Sequence, residues 1–486
     1  MSLKVYNSLA RTKEDFIPLQ RGYVGIYVCG PTVYSHPHVG HGKSYVSFDA
    51  MVRYLRYLKY KVRYVQNITD VGHLTDNADA GEDKIAKRAA LERLEPMELV
   101  EKYTRSYFED MDQLGVVRPD ISPRASGHLI EQMEIIKQLL AKGHAYEVND
   151  SVYFAVRTWP EYGKLSGRDL EELREGTRIE VLPDKRDPVD FALWKRAEPS
   201  HILRWPSPWG VGFPGWHIEC SAMSMRYLGQ TFDIHGGGLD NQFPHHECEI
   251  AQSEAATGQT FVRYWLHNNL VTIDGAKMGK SLGNAITLKE VLGRFEAPVV
   301  RSFILSSHYR STLDFSDSAL EGAARGLERL WGTVQAVQER LHSGAVANGE
   351  ADEEFVARLQ AHKARFLEQM DDDFNTAGAI GVLFDLTRDV NELLQGEATD
   401  QDLHSADKLY RELAGEVLGL LPERGGPAQG EALTPKLIQL LIDLRNEYRA
   451  ARDFKRSDTV RDKLASIGVV LEDTANGTRW KLARQA

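Results

Sequence analysis

Cysteine is scarce in this chain: Cys29, Cys220 and Cys248 are the only three in 486 residues. Three are too few for a disulfide framework, so a reducing compartment, the cytoplasm, is expected. Long apolar runs are also missing. None reaches the ~18 residues that cross a bilayer, so no membrane-spanning helix is expected. Met1–Arg11 lacks the apolar core of a secretory signal. No internal repeat or low-complexity tract appears. Positive charge is in deficit, with 59 Lys+Arg against 70 Asp+Glu and a net charge of −11. That argues against indiscriminate polyanion binding but leaves room for a local basic surface.

The length fits roughly three or four domains of ~150 residues. The first half alternates strands and helices. Apolar runs at Tyr23–Cys29 and Val62–Ile68 read as buried strands around a helix over Tyr45–Leu58. This is a βαβ unit of a doubly wound parallel sheet, whose ligands sit at strand C-termini. Two histidines, His38 and His41, fall where the first strand gives way to the helix. Helix N-termini present unpaired N–H groups and attract phosphate, and Gly40 lets a ligand approach the backbone. A second basic loop, Lys277-Met-Gly-Lys-Ser281, follows the apolar run Tyr264–Ile273.

Four further residues are competent metal ligands: Cys29, Cys220, His245 and Glu249. His245 and Glu249 are four apart, a spacing that puts both on one face of a helix. Cys248, three after His245, meets the same criterion, and spacing does not choose between it and Glu249.

His38-Val-Gly-His41 resembles the HIGH signature of class I aminoacyl-tRNA synthetases, and Lys277-Met-Gly-Lys-Ser281 resembles their KMSKS signature. Tyr27-Val-Cys-Gly30, the stretch from Pro214 to Met223, and the stretch from Phe232 to Ile250 are similar to the cysteinyl-tRNA synthetase family. The similarity runs along essentially the whole chain. It implies that Cys29, Cys220, His245 and Glu249 hold one Zn2+, favouring Glu249 over Cys248. It implies that Thr69, Trp216 and His235 line the cysteine site. Gly40, Asp240, Lys280 and Ser281 would bind ATP, with Asp240 on a ribose hydroxyl, and Mg2+ would accompany the nucleotide. His38, His41, Lys277 and Lys280 would act on the phosphates while the carboxylate of L-cysteine attacks ATP, before transfer to tRNA(Cys). Zinc has a physical reason to be there. Cysteine and serine differ by one atom, which shape separates poorly, whereas a thiolate is a far better zinc ligand than a hydroxyl. Two departures stand out: Gly279 replaces the serine of the loop signature, and the segment from Val71 to Asp83 is long.

The fold implied is a Rossmann-like doubly wound sheet with an insertion, then a helical bundle and a small mixed C-terminal domain. The expected boundaries are 1–112 and 202–270 for the two catalytic halves, 113–201 for the insertion, and 271–320 for the KMSKS loop and tRNA stem-contact region. The bundle spans 321–423, the linker 424–433 and the anticodon-binding domain 434–486. From Lys436 to Arg484 there are 11 Lys+Arg and 7 Asp+Glu, a net +4. Arg445, Arg449, Arg452 and Arg456 are spaced to share one helical face, a candidate phosphate track, and Trp480 is placed to stack on a base. A monomer is expected. The rivals are a ligase that transfers cysteine to an amino sugar and a silent zinc-holding RNA-binding protein.

Overall fold

The computed structural model describes residues 2–71, 83–169, 184–198, 201–273, 275–278, 283–342, 349–421, 429–467, 469–474 and 477–482. They form two compact units, Met1–Leu421 and Pro422–Ala486.

The first unit opens with a hairpin, β1 (Lys4–Asn7) and β2 (Thr12–Asp15), and enters its central sheet at β3 (Tyr23–Val28). Helix α1 (Val39–Tyr57) crosses to β4 (Lys61–Gln66), which pairs parallel with β3. Residues of β3 alternate between two cores, as a period of two requires. Val24, Ile26 and Val28 pack with α1, whereas Tyr27 packs with Cys220, Met223 and Ile250 on the other face. Both faces are covered, which is why the strand reads as a continuous apolar run.

Next come α2 (Lys84–Glu92), α3 (Pro96–Gln113) and α4 (Leu129–Ala141). A five-stranded antiparallel sheet follows, built from β5 (Ala145–Val148), β6 (Ser151–Phe154), β7 (Phe191–Arg196), β8 (Trp205–Ser207) and β9 (Gly210–Pro214). It carries on past residue 201 because β9 pairs with both β7 and β8. The parallel sheet then resumes through α5 (Trp216–Leu228), β10 (Phe232–Gly238), α6 (Glu247–Thr257) and β11 (Val262–Asn268). Its order is β11-β10-β3-β4, all parallel. The two halves, far apart in sequence, thus meet along β3 and β10.

The chain leaves the sheet through β12 (Val271–Ile273) and β13 (Ala276–Lys277), then α7 (Leu288–Leu292), α8 (Ala297–Leu305) and β14 (Leu313–Phe315). Four helices follow: α9 (Asp317–His342), α10 (Glu353–Asp371), α11 (Thr376–Gln395) and α12 (Asp400–Tyr410). Sequence periodicity reads 353–395 as one segment, but it breaks at Asp373 and Phe374, both at positive φ. Asp373 is turned inward there. It accepts hydrogen bonds from Tyr6 N–H, the Tyr309 hydroxyl and Arg310 Nε at 2.8, 2.7 and 2.6 Å.

The second unit consists of α13 (Gln429–Ala450), α14 (Phe454–Ser466) and the hairpin β15 (Val469–Thr474) and β16 (Gly477–Leu482). Helix α13 begins inside the stretch expected as linker, where Glu431-Ala-Leu433 are strong helix formers. Residues 422–428 lie outside the described residues. Among those described, no helix is long and apolar enough to cross a membrane.

Candidate active site

The site is assembled at the C-terminal ends of β3, β4 and β10. Cys29 follows β3 directly, and its N–H donates to Gly236 O at 2.9 Å. Beside it, a Cβ on Gly30 would fall 1.6 Å from Asn67 O, so only glycine fits. Helix α1 begins at Val39, not at Tyr45 where the apolar period starts, so His38 is its N-cap and His41 lies in its first turn. His41 Nδ1 accepts from His38 N–H at 3.1 Å, and the two rings are 3.9 Å apart. No acidic residue occupies this first turn, which leaves its positive end for an anion.

The second motif closes on the first. Val39 N–H donates to Ile286 O at 3.0 Å and Leu288 N–H to Pro37 O at 2.9 Å. Met278 Cε lies 3.2 Å from where a Cβ on Gly40 would stand. Lys277 has its backbone in β13, paired with Thr272. Its side chain, and Gly279, Lys280 and Ser281, lie outside the described residues. Lys43 ties α1 to the backbone that leads into β12 and β14. It is buried and donates to Asn269 O, Leu270 O and Ser311 O at 2.8, 3.2 and 2.6 Å. Burial pushes its ammonium down to about 7. Sequence reading missed Lys43, because nothing local distinguishes it from a solvated lysine.

Cys29, Cys220, His245 and Glu249 converge from β3, α5 and the start of α6. All four are buried, and their donor atoms lie within 4.8 Å of one another. Glu249 is on α6, and His245 lies in the wider helical turn Gln242–His246 that leads into it, where Phe243 alone has extended backbone (φ −141°). The helical backbone is continuous from His246 into α6, so the expected shared face holds for His245 and Glu249. It brings His245 Nε2 within 3.0 Å of Glu249 Oε1. Cys29 Sγ and Cys220 Sγ are 3.9 Å apart, close to the ~3.8 Å edge of a tetrahedron with 2.3 Å Zn–S bonds. Both thiols are free. Glu249 is buried, and both of its carboxylate oxygens face imidazole nitrogens, Oε1 that of His245 and Oε2 that of His235. Two thiols, an imidazole and a buried carboxylate are a donor set that fits zinc.

The electrostatics agree. Burial alone would raise the Cys220 thiol, but Cys29 and His245 bring it down to about 6. Burial and Cys220 push the Cys29 thiol well above its ordinary value. Burial opposes charge on His245, yet Glu249 and Cys220 lift it to about 10. Glu249 is held at about 2, against burial, by His235 and His245. Cys248 faces away, with its Sγ 3.3 Å from the Tyr162 hydroxyl.

A shell of rings surrounds the four. Trp216 stacks on His245 with centroids 4.2 Å apart, and His235 places Nε2 2.9 Å from Glu249 Oε2 while stacking on Trp265. His235 and His246 complete a second set with Cys29 and Glu249. His246 Nε2 is 3.3 Å from Cys29 Sγ, and its Nδ1 is 2.8 Å from His267 Nε2, while His267 Nδ1 reaches Ser8 Oγ at 2.8 Å. His217, His246 and His267 escaped sequence reading because only the fold gathers them. Thr69 is buried and accepts from Asn67 Nδ2 at 3.0 Å. Asp240 is exposed in the turn that ends β10.

In the second unit the four arginines do not share a helical face. Helix α13 stops at Ala450, Arg452 turns the chain at φ 59°, and Arg456 belongs to α14. The break occurs because Asp453 caps α14, accepting from Arg456 N–H at 3.1 Å. Arg445 is only 5% exposed, whereas Arg449, Arg452 and Arg456 are exposed. Trp480 packs against Ile438, Ile442, Leu464 and Val469.

Comparison with known proteins supplies the context. The family model described as "tRNA synthetases class I (C) catalytic domain" matches residues 15–325, and that of the DALR domain matches residues 365–422. The cysteine–tRNA ligase of Chlorobaculum tepidum is 53% identical over 490 residues, covering 99% of each chain. Those of Thermus thermophilus and Deinococcus radiodurans are 52% and 51% identical, covering 100% and 99% of this chain and 100% and 97% of their own. Among solved structures, methionyl-tRNA synthetase of Mycobacterium tuberculosis in complex with methionyl-adenylate aligns with a TM-score of 0.58 at 17% identity. It covers 82% of this chain and 92% of its own. A putative arginyl-tRNA synthetase of Campylobacter jejuni aligns with a TM-score of 0.56 at 13% identity, with the same coverage. At that identity the likeness is one of fold.

Proposed function

Since the chain belongs to the cysteine–tRNA ligase family of class I synthetases, we propose that it reads its amino acid through a zinc ion held by Cys29, Cys220, His245 and Glu249. The chain attaches cysteine to tRNA at the expense of ATP. The observation that carries the zinc reading is the buried four-donor cluster, whose donor atoms all lie within 4.8 Å of one another. Zinc bound there supplies a Lewis acid that takes a thiolate in preference to a hydroxyl. Discrimination against serine then needs no editing domain. The set matches the family motifs residue by residue.

The chain's own residues do the rest. Trp216, stacked on His245, walls the cysteine pocket with Thr69 and His235. The first turn of α1, with Gly40, His38 and His41, receives ATP phosphates on its N–H groups and imidazoles. Asp240 takes a ribose hydroxyl. The cysteine carboxylate attacks the α-phosphorus, and pyrophosphate leaves. Lys277, Lys280 and Ser281 hold the departing charge, and Mg2+ accompanies the nucleotide. A ribose hydroxyl of the terminal tRNA adenosine then accepts the cysteinyl group. Arg449, Arg452 and Arg456 are the phosphate contacts left from the expected basic stripe, and the C-terminal unit serves the anticodon. The reading extends to a cytoplasmic monomer acting on tRNA(Cys).

Zinc stoichiometry together with cysteine- and serine-dependent ATP–pyrophosphate exchange tests this. Cys220→Ser lowers zinc content and erodes rejection of serine together, while Cys248→Ser does neither. Zinc loss in the Cys248 variant, or full zinc loss with unchanged selectivity, sinks the reading.

A further inference from the structure

Helix α5 carries an acid that neither the metal set nor the nucleotide motifs employ. Glu219 is fully buried, and neither of its carboxylate oxygens makes a hydrogen bond of standard geometry, the Thr69 hydroxyl beside it being the one donor that acts on it. Other buried acids of this unit have partners. Asp70 accepts from Ser126 N–H and Oγ at 2.9 and 2.6 Å, and Asp233 accepts from Leu19 and Gly25 N–H at 2.6 and 2.8 Å. Asp110 also lacks hydrogen bonds, but the Lys289 ammonium stands 3.4 Å away. Among the described residues, no cationic side chain pairs with Glu219. Polar groups are not left bare in a core without cause, because an unpaired buried acid is expensive.

Its place in the fold says which cation would meet it. On α5 it lies three residues after Trp216 and directly before Cys220. The charges that act on it are those of Cys220, Asp70 and His245, with the Thr69 hydroxyl beside it. Trp216 and Thr69 are the pocket residues named above, and Cys220 and His245 belong to the thiol-reading set. Cysteine carries its ammonium three bonds from its sulfur, so a substrate anchored at the metal set brings a cation into this neighbourhood.

We propose that Glu219 is the buried counter-ion for the α-ammonium of cysteine. The pocket then reads two ends of the substrate, the thiol at the metal set and the ammonium at Glu219. An ion pair formed only on binding relieves the unpaired acid, so thiols without an ammonium are rejected as sharply as hydroxyls. The inference rests on the cysteine-activating reading above.

The test is calorimetric titration of the zinc-loaded full chain with three thiols. L-cysteine has both ammonium and carboxylate, cysteamine only the ammonium, and 3-mercaptopropionate only the carboxylate. The wild type is expected to bind cysteamine more tightly than 3-mercaptopropionate. Glu219→Gln should weaken cysteine and cysteamine by ~30-fold or more, the scale seen when one partner of a buried charge pair is truncated. It should leave 3-mercaptopropionate within about twofold and zinc at one ion per chain, and Glu219→Asp should recover part of the loss. Equal weakening of all three ligands, or loss of zinc, means Glu219 acts through the metal set or the fold, and overturns the proposal. So does a wild type that binds 3-mercaptopropionate as tightly as cysteamine, a result that needs no variant to fold. A wild type that holds no zinc and binds no cysteine overturns the reading beneath, and the proposal with it.

Discussion

Met278 rests against Gly40: its Cε lies 3.2 Å from the position a Cβ on that glycine would take. Two motifs separated by most of the catalytic unit therefore meet at this contact, and Met278 is registered on the first turn of α1.

Gly40→Ala tests that registration. The new methyl would meet the His38 ring at 3.0 Å as well as Met278, so the imidazole has to yield. Adenylate formation should slow by up to ~10²-fold, since small displacements of positioning groups carry such penalties, with zinc content unchanged. Lys280→Ala should cost ~10²–10³ in pyrophosphate exchange, as removal of a group that stabilises developing charge does. Unaltered exchange in both would separate the motifs from the chemistry.

Lys43→Met removes the only donor shared by Asn269, Leu270 and Ser311 carbonyls among the described residues. Asn269 O keeps Asn268 Nδ2 at 3.3 Å and Leu270 O keeps Leu313 N–H at 3.1 Å, so the loss expected in urea unfolding is that of one bared acceptor, about 1–3 kcal/mol. Exchange should fall further than stability alone accounts for at permissive temperature, because the base of the basic loop is released from α1. Lys43→Arg should recover part of both.

Zinc uptake should release protons in a count set by the site. At about pH 7.5 Cys220, near 6, is already thiolate, whereas Cys29, raised, is a thiol and His245, near 10, is imidazolium. Ligands must be deprotonated to bind, so roughly two protons leave per ion. Affinity therefore rises with pH through neutrality, and below about 6 the dependence steepens as Cys220 also takes a proton. Calorimetry in buffers of different ionisation enthalpy gives the count. No net release at neutral pH would contradict it.

Neutralising Arg449, Arg452 and Arg456 should weaken tRNA binding and flatten its salt dependence, by close to one unit of log–log slope for each phosphate no longer neutralised. Cysteine activation should be untouched. Arg445→Gln should behave differently, because Arg445 is buried with Nη1 3.5 Å from Thr478 Oγ1. It should lower the melting temperature of the C-terminal unit. Filter binding between about 50 and 200 mM salt, with calorimetric melting, separates the two outcomes.

The sequence by itself determined whatever is written in local periodicity and residue type. The apolar run Tyr23–Cys29 reads as a buried strand, and two cysteines in the motif-bearing segments were legible as candidate ligands before any fold was known. The two signatures named the reaction class because each states its chemistry within a few residues. Only the tertiary structure decided what depends on where a helix starts and which way a side chain turns. The spacing of His245, Cys248 and Glu249 admits either acid or thiol, and the packing of α6 turns Cys248 to Tyr162 and Glu249 to the metal set. The arginine spacing promised one face, and Asp453 broke it by capping a new helix. Lys43 and Glu219 were silent in sequence because a buried lysine or glutamate looks like a solvated one. Burial is a property of the assembled core, and only there does an unpaired charge become costly enough to mean something.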